Sequence, residues 1–241
     1  MSEIDTLIKY IKEAKSIVFF GGAGVSTESG LKDFRSKDGL YNEKYDYPPE
    51  EILSHSFFIE KTDEFYKFYK DKLDTRNFKP NITHEVLALM EKKNMLDCVI
   101  TQNIDGFHTD AGSKKVYELH GSIKRNYCMN CHKVYDDTYV FNSTGIPKCS
   151  CGGIIKPDVV LYEEGLDEDT INNSIRAIAS CDLLIIGGTS LNVYPAASFI
   201  NYFRGKHMVL INRDITQYDH LCDLVIHENI GKVFEQIKKE I

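Results

Sequence analysis

Short apolar runs recur along the chain, and each gives way to a polar or glycine-rich cluster. Residues 17–20 open into Gly21-Gly22, 96–100 into Thr101-Gln102-Asn103, 116–119 into His120-Gly121, 183–186 into Gly187-Gly188-Thr189-Ser190, and 208–211 into Asn212-Arg213-Asp214. A sixth run, Leu224-Val225-Ile226, meets His227-Glu228-Asn229. Runs of this length predict buried strands. Between them, residues 4–12, 84–92, 169–179, 196–203 and 231–239 carry apolar positions at the three- and four-residue spacing of amphipathic helices. Strands alternating with helices predict an α/β fold, a parallel sheet covered on both faces. In such sheets ligands collect beyond the carboxyl ends of the strands, where the polar clusters fall.

Two stretches break the alternation and together predict a small second domain. Residues 31–80 are rich in Tyr, Phe and Lys, with helical spacing over 63–72. The aromatic run Phe65-Tyr66-Lys67-Phe68-Tyr69 repeats at i, i+3 and i+4, a packing pattern. Residues 126–153 carry Cys128-Met129-Asn130-Cys131 and, after seventeen intervening residues, Cys149-Ser150-Cys151. Two close pairs at this separation suit a tetrahedral zinc holding two knuckles, with Gly145, Gly152 and Gly153 supplying turns. The one-residue gap of the second pair makes a tighter chelate; redox cysteines or independent buried thiols are the competing reading. Four thiolates leave no open position, so a metal here is structural. His132, beside Cys131, is expected to be exposed, and Cys98, Cys181 and Cys222 are read as small core residues.

A length of 241 residues accommodates a large domain carrying a small one. The net charge of -7 and pI near 5.6 carry no nucleic-acid footprint. The start, Met1-Ser2-Glu3-Ile4-Asp5, lacks a basic leader, and the apolar runs are too short to cross a bilayer. The expectation is a cytoplasmic protein without membrane or nucleic-acid partners. In a reducing compartment its seven cysteines belong to metal sites or the core rather than to disulfides.

The segment Gly21-Gly22-Ala23-Gly24-Val25-Ser26-Thr27-Glu28-Ser29-Gly30 follows the first strand directly. A strand opening into glycines and hydroxyls suits a nucleotide phosphate. Thr27 stands where a dehydrogenase fingerprint has its third glycine, and no second strand ending in an acid follows. A phosphate loop is expected, and ordinary hydride-transfer topology is not. Thr101-Gln102-Asn103-Ile104-Asp105 crowds amides and a carboxylate at a strand end, suited to ribose hydroxyls or a carboxamide, although Asn and Asp also cap helices. His120 closes another strand, where it can act as a general base, and Gly121 would let a substrate approach the backbone; a structural histidine is the alternative. The other histidines, at 55, 84, 108, 132, 207, 220 and 227, are assigned surface or capping roles.

Taken in order, Gly22 to Ser36, Thr101 to Asp105, His120-Gly121, the two cysteine pairs, Lys156 to Glu164, Gly188-Thr189-Ser190 with Val193-Tyr194-Pro195-Ala196, and Ile211 to Asp214 make the chain resemble a sirtuin over residues 15–233. The resemblance implies a Rossmann-type large domain (1–35, 81–122 and 155–241) and a small helical plus zinc-ribbon domain (36–80 and 123–154). Between them, NAD would meet an acetylated lysine of a protein or peptide. In that family the acyl oxygen attacks the ribose carbon bearing nicotinamide, and a histidine base, here His120, then activates the ribose hydroxyls.

By the same resemblance, His120, Asn103 and Asp105 are catalytic. Ala23, Gly24 and Thr27 hold the phosphates, Phe34 shields the reactive ribose, and Arg35 lies beside the pyrophosphate. Gln102, Asn103, Ile104 and Asp105 line the nicotinamide and ribose pocket. Thr189, Ser190 and Asn212 bind the adenosine half, with Ile230 near adenine. The peptide would enter as a strand between residues 159–162 and 192–195, with Val160 and Tyr162 touching the acyl-lysine. Zinc would sit on Cys128, Cys131, Cys149 and Cys151.

Many sirtuins carry Phe-Gly-Glu where this chain has Tyr162-Glu163-Glu164. Desuccinylases carry Tyr-x-x-Arg on the small-domain helix, matched here to Tyr69 and Lys72, and a lysine lacks the carboxylate fork, so deacetylation is expected over desuccinylation. The expected products are nicotinamide, 2'-O-acetyl-ADP-ribose and free lysine, from an enzyme expected to be a monomer. An NAD-dependent mono-ADP-ribosyltransferase is the alternative, and an inactive NAD-binding module a third reading.

Overall fold

The computed structural model describes residues 2–33, 39 and 45–241. Helix α1 (Glu3–Glu13) starts on a reciprocal cap: Ser2 Oγ accepts the Asp5 N–H at 3.1 Å, and Asp5 accepts the Ser2 N–H at 2.8 Å. Its Leu7 and Ile11 are buried against the sheet. Strand β1 (Ile17–Gly21) follows, then helices α2 (Pro49–Ile52), α3 (His55–Glu60), α4 (Thr62–Lys72) and α5 (Ile82–Lys92). Next come β2 (Cys98–Thr101), α6 (Phe107–Asp110), β3 (Val116–Glu118), β4 (Gly121–Cys128), β5 (Val134–Tyr135), α7 (Asp137–Asn142) and β6 (Ile155–Val159). The chain closes with α8 (Glu168–Ser180), β7 (Leu183–Gly187), β8 (His207–Ile211), β9 (Leu224–Ile226) and α9 (Ile230–Glu240).

The six apolar runs form one parallel sheet in the order β3-β2-β1-β7-β8-β9. Strand β1 is central, and the chain builds outward on one side through β2 and β3 before returning to build the other through β7 to β9. The crevice between β1 and β7 is therefore the topological switch point, the usual ligand position in an open α/β sheet. Alternation along the strands feeds two cores. Ile17, Phe19, Val99 and Ile185 pack beneath α1, α5 and α9, while Val18, Phe20, Ile100 and Ile186 pack on the face carrying Ile178 of α8 and the 196–202 segment. The helical spacing over 196–203 resolves as a 3-10 helix, Ala196–Tyr202.

The two segments that broke the alternation share one apolar core. Phe58, Phe65, Tyr66 and Tyr69 from α3 and α4 lie with Ile123, Val140, Phe141 and Ile155. Tyr69 is fully buried, stacked between Phe65 and Phe141 with ring centroids 5.6 and 5.4 Å away. Tyr66 donates its hydroxyl to the Ile155 carbonyl, and Lys70 Nζ donates to the Ser143 and Gly145 carbonyls, both at 2.6 Å. Strands β5-β4-β6 form a small antiparallel sheet that carries the cysteine knuckles. Among the described residues, no helix is long and apolar enough to cross a membrane.

Candidate active site

The loops after β1 and β7 meet backbone to backbone. Gly24 N–H donates to the Gly188 carbonyl at 2.8 Å, and a Cβ built on Gly24 would lie 2.8 Å from Gly188 Cα. The glycine here is thus required by the approach of two loops, and it leaves the 3-10 turn Ala23–Val25 facing the switch point. Thr27 donates its hydroxyl to the Gly24 carbonyl at 3.0 Å, which stiffens the same turn.

Beneath this loop lies a buried polar cluster. Ser26 Oγ donates to Asp105 Oδ2 at 2.7 Å and accepts from Asn103 Nδ2 at 3.1 Å. Asp105 Oδ1 accepts the Phe107 N–H at 2.9 Å. Burial raises the Asp105 pKa above its ordinary value, against the lowering effect of the Phe107 N–H and the Ser26 hydroxyl. Behind Ser26 stands His84, whose Nδ1 accepts the Asn81 N–H at 3.2 Å. Its proton therefore rides on Nε2, 3.5 Å from Ser26 Oγ. Burial pushes the His84 pKa down to about 4 and holds His108, 4.6 Å away ring to ring, well below the ordinary histidine range.

His120, half-buried at the end of β3, has Nδ1 2.8 Å from the Gln102 carbonyl. A carbonyl only accepts, so Nδ1 carries the proton of this bond, which fixes the orientation of the ring. Gln102 Nε2 in turn donates to Thr189 Oγ1 at 3.1 Å, joining the β2 and β7 ends. The His120 carbonyl accepts the Val160 N–H at 3.0 Å, which ties the end of β3 to residues 160–162. Ile104 packs against the small-module core. Further along the sheet edge, Asn212 follows β8 with its side-chain amide on the Asp214 carbonyl at 2.7 Å, exposed Ser190 follows β7, and Ile230 begins α9. Tyr162 is exposed and Val160 half-buried. Phe34 and Arg35 lie outside the described residues.

Two expectations are revised by the geometry, and one site residue is added. His84 and His108 are buried, not surface groups; His84 does cap α5, but it also faces the site from below. Ser26 joins Asn103 to Asp105, a role the loop's strand-to-helix reading did not reveal; the buried neighbours Val25 and Thr101 offered no local signal. Gly121 is not left open for a substrate: at φ +73°, a Cβ there would sit 2.0 Å from the Asp158 carbonyl oxygen, so the glycine admits β6.

Comparison with known proteins places this geometry. The sequence pattern of the Sir2 family matches residues 22–195. The chain belongs to the Sir2 family. It is 56% identical over 241 residues to a protein named NAD-dependent protein deacetylase from Clostridium acetobutylicum, covering 98% of each chain. It is also 56% identical over 239 residues to the protein of that name from Clostridium perfringens, again covering 98% of each. Among solved structures, a Sir2 with deacetylated p53 peptide and 3'-O-acetyl ADP ribose superposes with TM-score 0.91 at 33% identity, over 99% of this chain and 98% of that one. A Sir2–p53 peptide–NAD+ complex superposes at TM-score 0.87 and 33% identity, over 100% and 98%.

This sirtuin also carries, in its small module, a four-cysteine cluster suited to a metal. The Sγ atoms of Cys128, Cys131, Cys149 and Cys151 all lie within 4.8 Å of one another, with the pairs Cys128–Cys151 and Cys131–Cys149 at 3.5 Å. A tetrahedron of thiolates about 2.3 Å from zinc has edges of about 3.8 Å, so the one-residue gap of the second pair is accommodated and the donor set fits structural zinc. The Cys151 N–H and the Tyr135 hydroxyl, 3.0 Å from Cys149 Sγ, bring the Cys149 thiol down to about 5. His132 is exposed, outside the thiolate group, at φ +58°.

Proposed function

We propose that this sirtuin is an NAD-dependent protein-lysine deacetylase yielding nicotinamide, 2'-O-acetyl-ADP-ribose and free lysine. The observation that carries the reading is the hydrogen bond from His120 Nδ1 to the Gln102 carbonyl, which fixes the imidazole beside the amide-rich end of β2 in the tautomer a base acting through Nε2 would use. The relatives at 56% identity bear the deacetylase name, and related solved structures hold acetylated peptide, NAD+ and 2'-O-acetyl-ADP-ribose.

NAD supplies, when bound, a ribose carbon whose bond to nicotinamide is cleaved. His120 Nε2 takes the proton of a ribose hydroxyl, held in aim by its Nδ1 bond. Asn103 and Asp105, oriented by Ser26, hold the carboxamide and ribose, with Gln102 and Ile104 as the pocket's wall. Ala23, Gly24 and Thr27 cradle phosphate with Arg35, and Phe34 covers the ribose. Thr189, Ser190, Asn212 and Ile230 take the adenosine half. The acyl-lysine lies against Val160 and Tyr162. Residues 1–35, 81–122 and 155–241 form the cofactor unit and 36–80 with 123–154 the small one, in a cytoplasmic monomer acting on acetylated proteins. Tyr69 belongs to the small-module core rather than to an acyl-carboxylate clamp, which supports acetyl over succinyl.

The test is incubation with acetyl-lysine peptide and NAD, following nicotinamide and peptide mass. Equal amounts of nicotinamide and lighter peptide are expected, and loss of both in His120→Ala with an unchanged circular dichroism spectrum. A heavier protein in place of a lighter peptide indicates ADP-ribosyl transfer and overturns the reading.

A further inference from the structure

Glu163 has φ +75°, a left-handed conformation that glycine adopts freely and a glutamate does not. Such a residue persists where its surroundings over-determine it. Its carboxylate Oε2 accepts both the Ser56 N–H at 2.9 Å and the Ser56 hydroxyl at 2.6 Å, at the start of α3. Charge-assisted bonds of this kind are the strong ones.

The tie belongs to a seam. Tyr162 N–H donates to the Leu53 carbonyl and His55 N–H to the Tyr162 carbonyl, each at 3.0 Å. Glu164 Oε2 accepts the Leu161 N–H at 2.9 Å and buried Lys156 Nζ at 3.1 Å, while Glu164 Oε1 lies 2.9 Å from His55 Nδ1. At its other end the same segment is bound to the catalytic histidine through Val160 N–H on the His120 carbonyl. Residues 160–162 are thus suspended between His120 and the start of α3, and the turn at Glu163, immediately after them, adds a second anchor to α3 through Ser56.

We propose that Glu163 is a positioning residue for the peptide: its bonds to Ser56 hold the left-handed turn and so keep the 160–162 edge in register with His120. The inference rests on the proposed deacetylase reading. It assigns a purpose to the one position in the Tyr162-Glu163-Glu164 segment where this chain replaces a residue free to adopt the turn with one that must be held in it.

The experiment measures binding of a fluorescein-labelled acetyl-lysine peptide by anisotropy, beside KM for NAD, in wild type, Glu163→Ala, Glu163→Gln and Glu163→Gly. Glu163→Ala keeps the unfavourable φ and loses both bonds; peptide binding should weaken about 5- to 10-fold, about 1 to 1.4 kcal/mol. Its KM for NAD should stay within about twofold of wild type, since the β1 and β7 loops are untouched. Glu163→Gln, whose amide oxygen still accepts from Ser56, should recover most of the affinity, and Glu163→Gly should fall between. Hydrogen exchange at the Tyr162 amide should speed up most in Glu163→Ala, less in Glu163→Gly and little in Glu163→Gln. The proposal is overturned by wild-type peptide affinity in Glu163→Ala, by full affinity in Glu163→Gly, which would leave the Ser56 bonds without a role, or by an equal loss of NAD affinity. A wild-type protein that binds the peptide and releases no nicotinamide instead overturns the deacetylase reading, and the affinity series still decides the role of Glu163.

Discussion

Acid should weaken this fold through one buried histidine. His84 is wholly enclosed, accepts the Asn81 N–H on Nδ1, and has its pKa lowered by burial from 6.5 to about 4. For a base whose folded pKa lies below its unfolded one, the stability is fully present above about 6.5 and is lost as the pH falls towards about 4, because only the unfolded chain takes up the proton. Linkage between these two values amounts to about 2 kcal/mol lost from pH 7 to pH 5, and roughly 3 kcal/mol once the pH is below both. His84→Gln keeps an acceptor for Asn81 and a donor towards Ser26 but does not titrate. The chain has no tryptophan, so urea unfolding followed by far-ultraviolet circular dichroism is the assay. The carboxylates are common to both proteins and largely cancel, whereas His108, which a charged His84 depresses further, is relieved in the variant and adds to the difference in the same direction. The fall in unfolding free energy from pH 7 to pH 5 should therefore be about 2 kcal/mol smaller in His84→Gln. An identical fall in the two proteins would refute the assignment of His84 as a neutral, desolvated group.

Cys149→Ser removes one of four thiolates, and zinc measured by atomic absorption should drop from about one per chain to near zero with a lower melting temperature; unchanged zinc would dismiss the four-cysteine site. Gly121→Ala drives a Cβ into the Asp158 carbonyl, and should lower stability by about 2 kcal/mol or more in a denaturant titration. A loss below about 0.5 kcal/mol would mean that β4 and β6 separate freely there. On one peptide sequence, kcat/KM should favour acetyl-lysine over succinyl-lysine by at least about tenfold, the loss of roughly one charged anchor; a succinyl preference would contradict the packing role given to Tyr69.

The sheet was legible because its central strands are buried on both faces: Ile17, Phe19, Leu183 and Ile185 on one side and Val18, Phe20, Leu184 and Ile186 on the other leave no room for polar alternation. The strand ends were legible for the converse reason: Thr101 to Asp105 and His120 interrupt apolar runs abruptly. The cysteine pairs announced their own geometry. What sequence did not disclose were groups whose role depends on distant neighbours. His84 looks like any helix-cap residue until Ser26, 58 positions earlier, is brought to it. Gly121 looks like room for a ligand until Asp158 occupies the space. The 196–202 segment has helical spacing and packs in one core with Ile178 and Met208, yet it winds as a 3-10 helix, a distinction its periodicity does not carry.

The shared core of the small module has a consequence for synthesis. Tyr66 bonds a carbonyl 89 residues further along the chain, and Lys70 bonds carbonyls 73 and 75 residues further. At roughly 5 to 20 residues per second, the aromatic face of α3 and α4 stands uncovered for about 4 to 18 seconds after leaving the ribosome. The second cysteine pair emerges near the end of that interval, so zinc capture and the closure of this aromatic core fall within the same brief window.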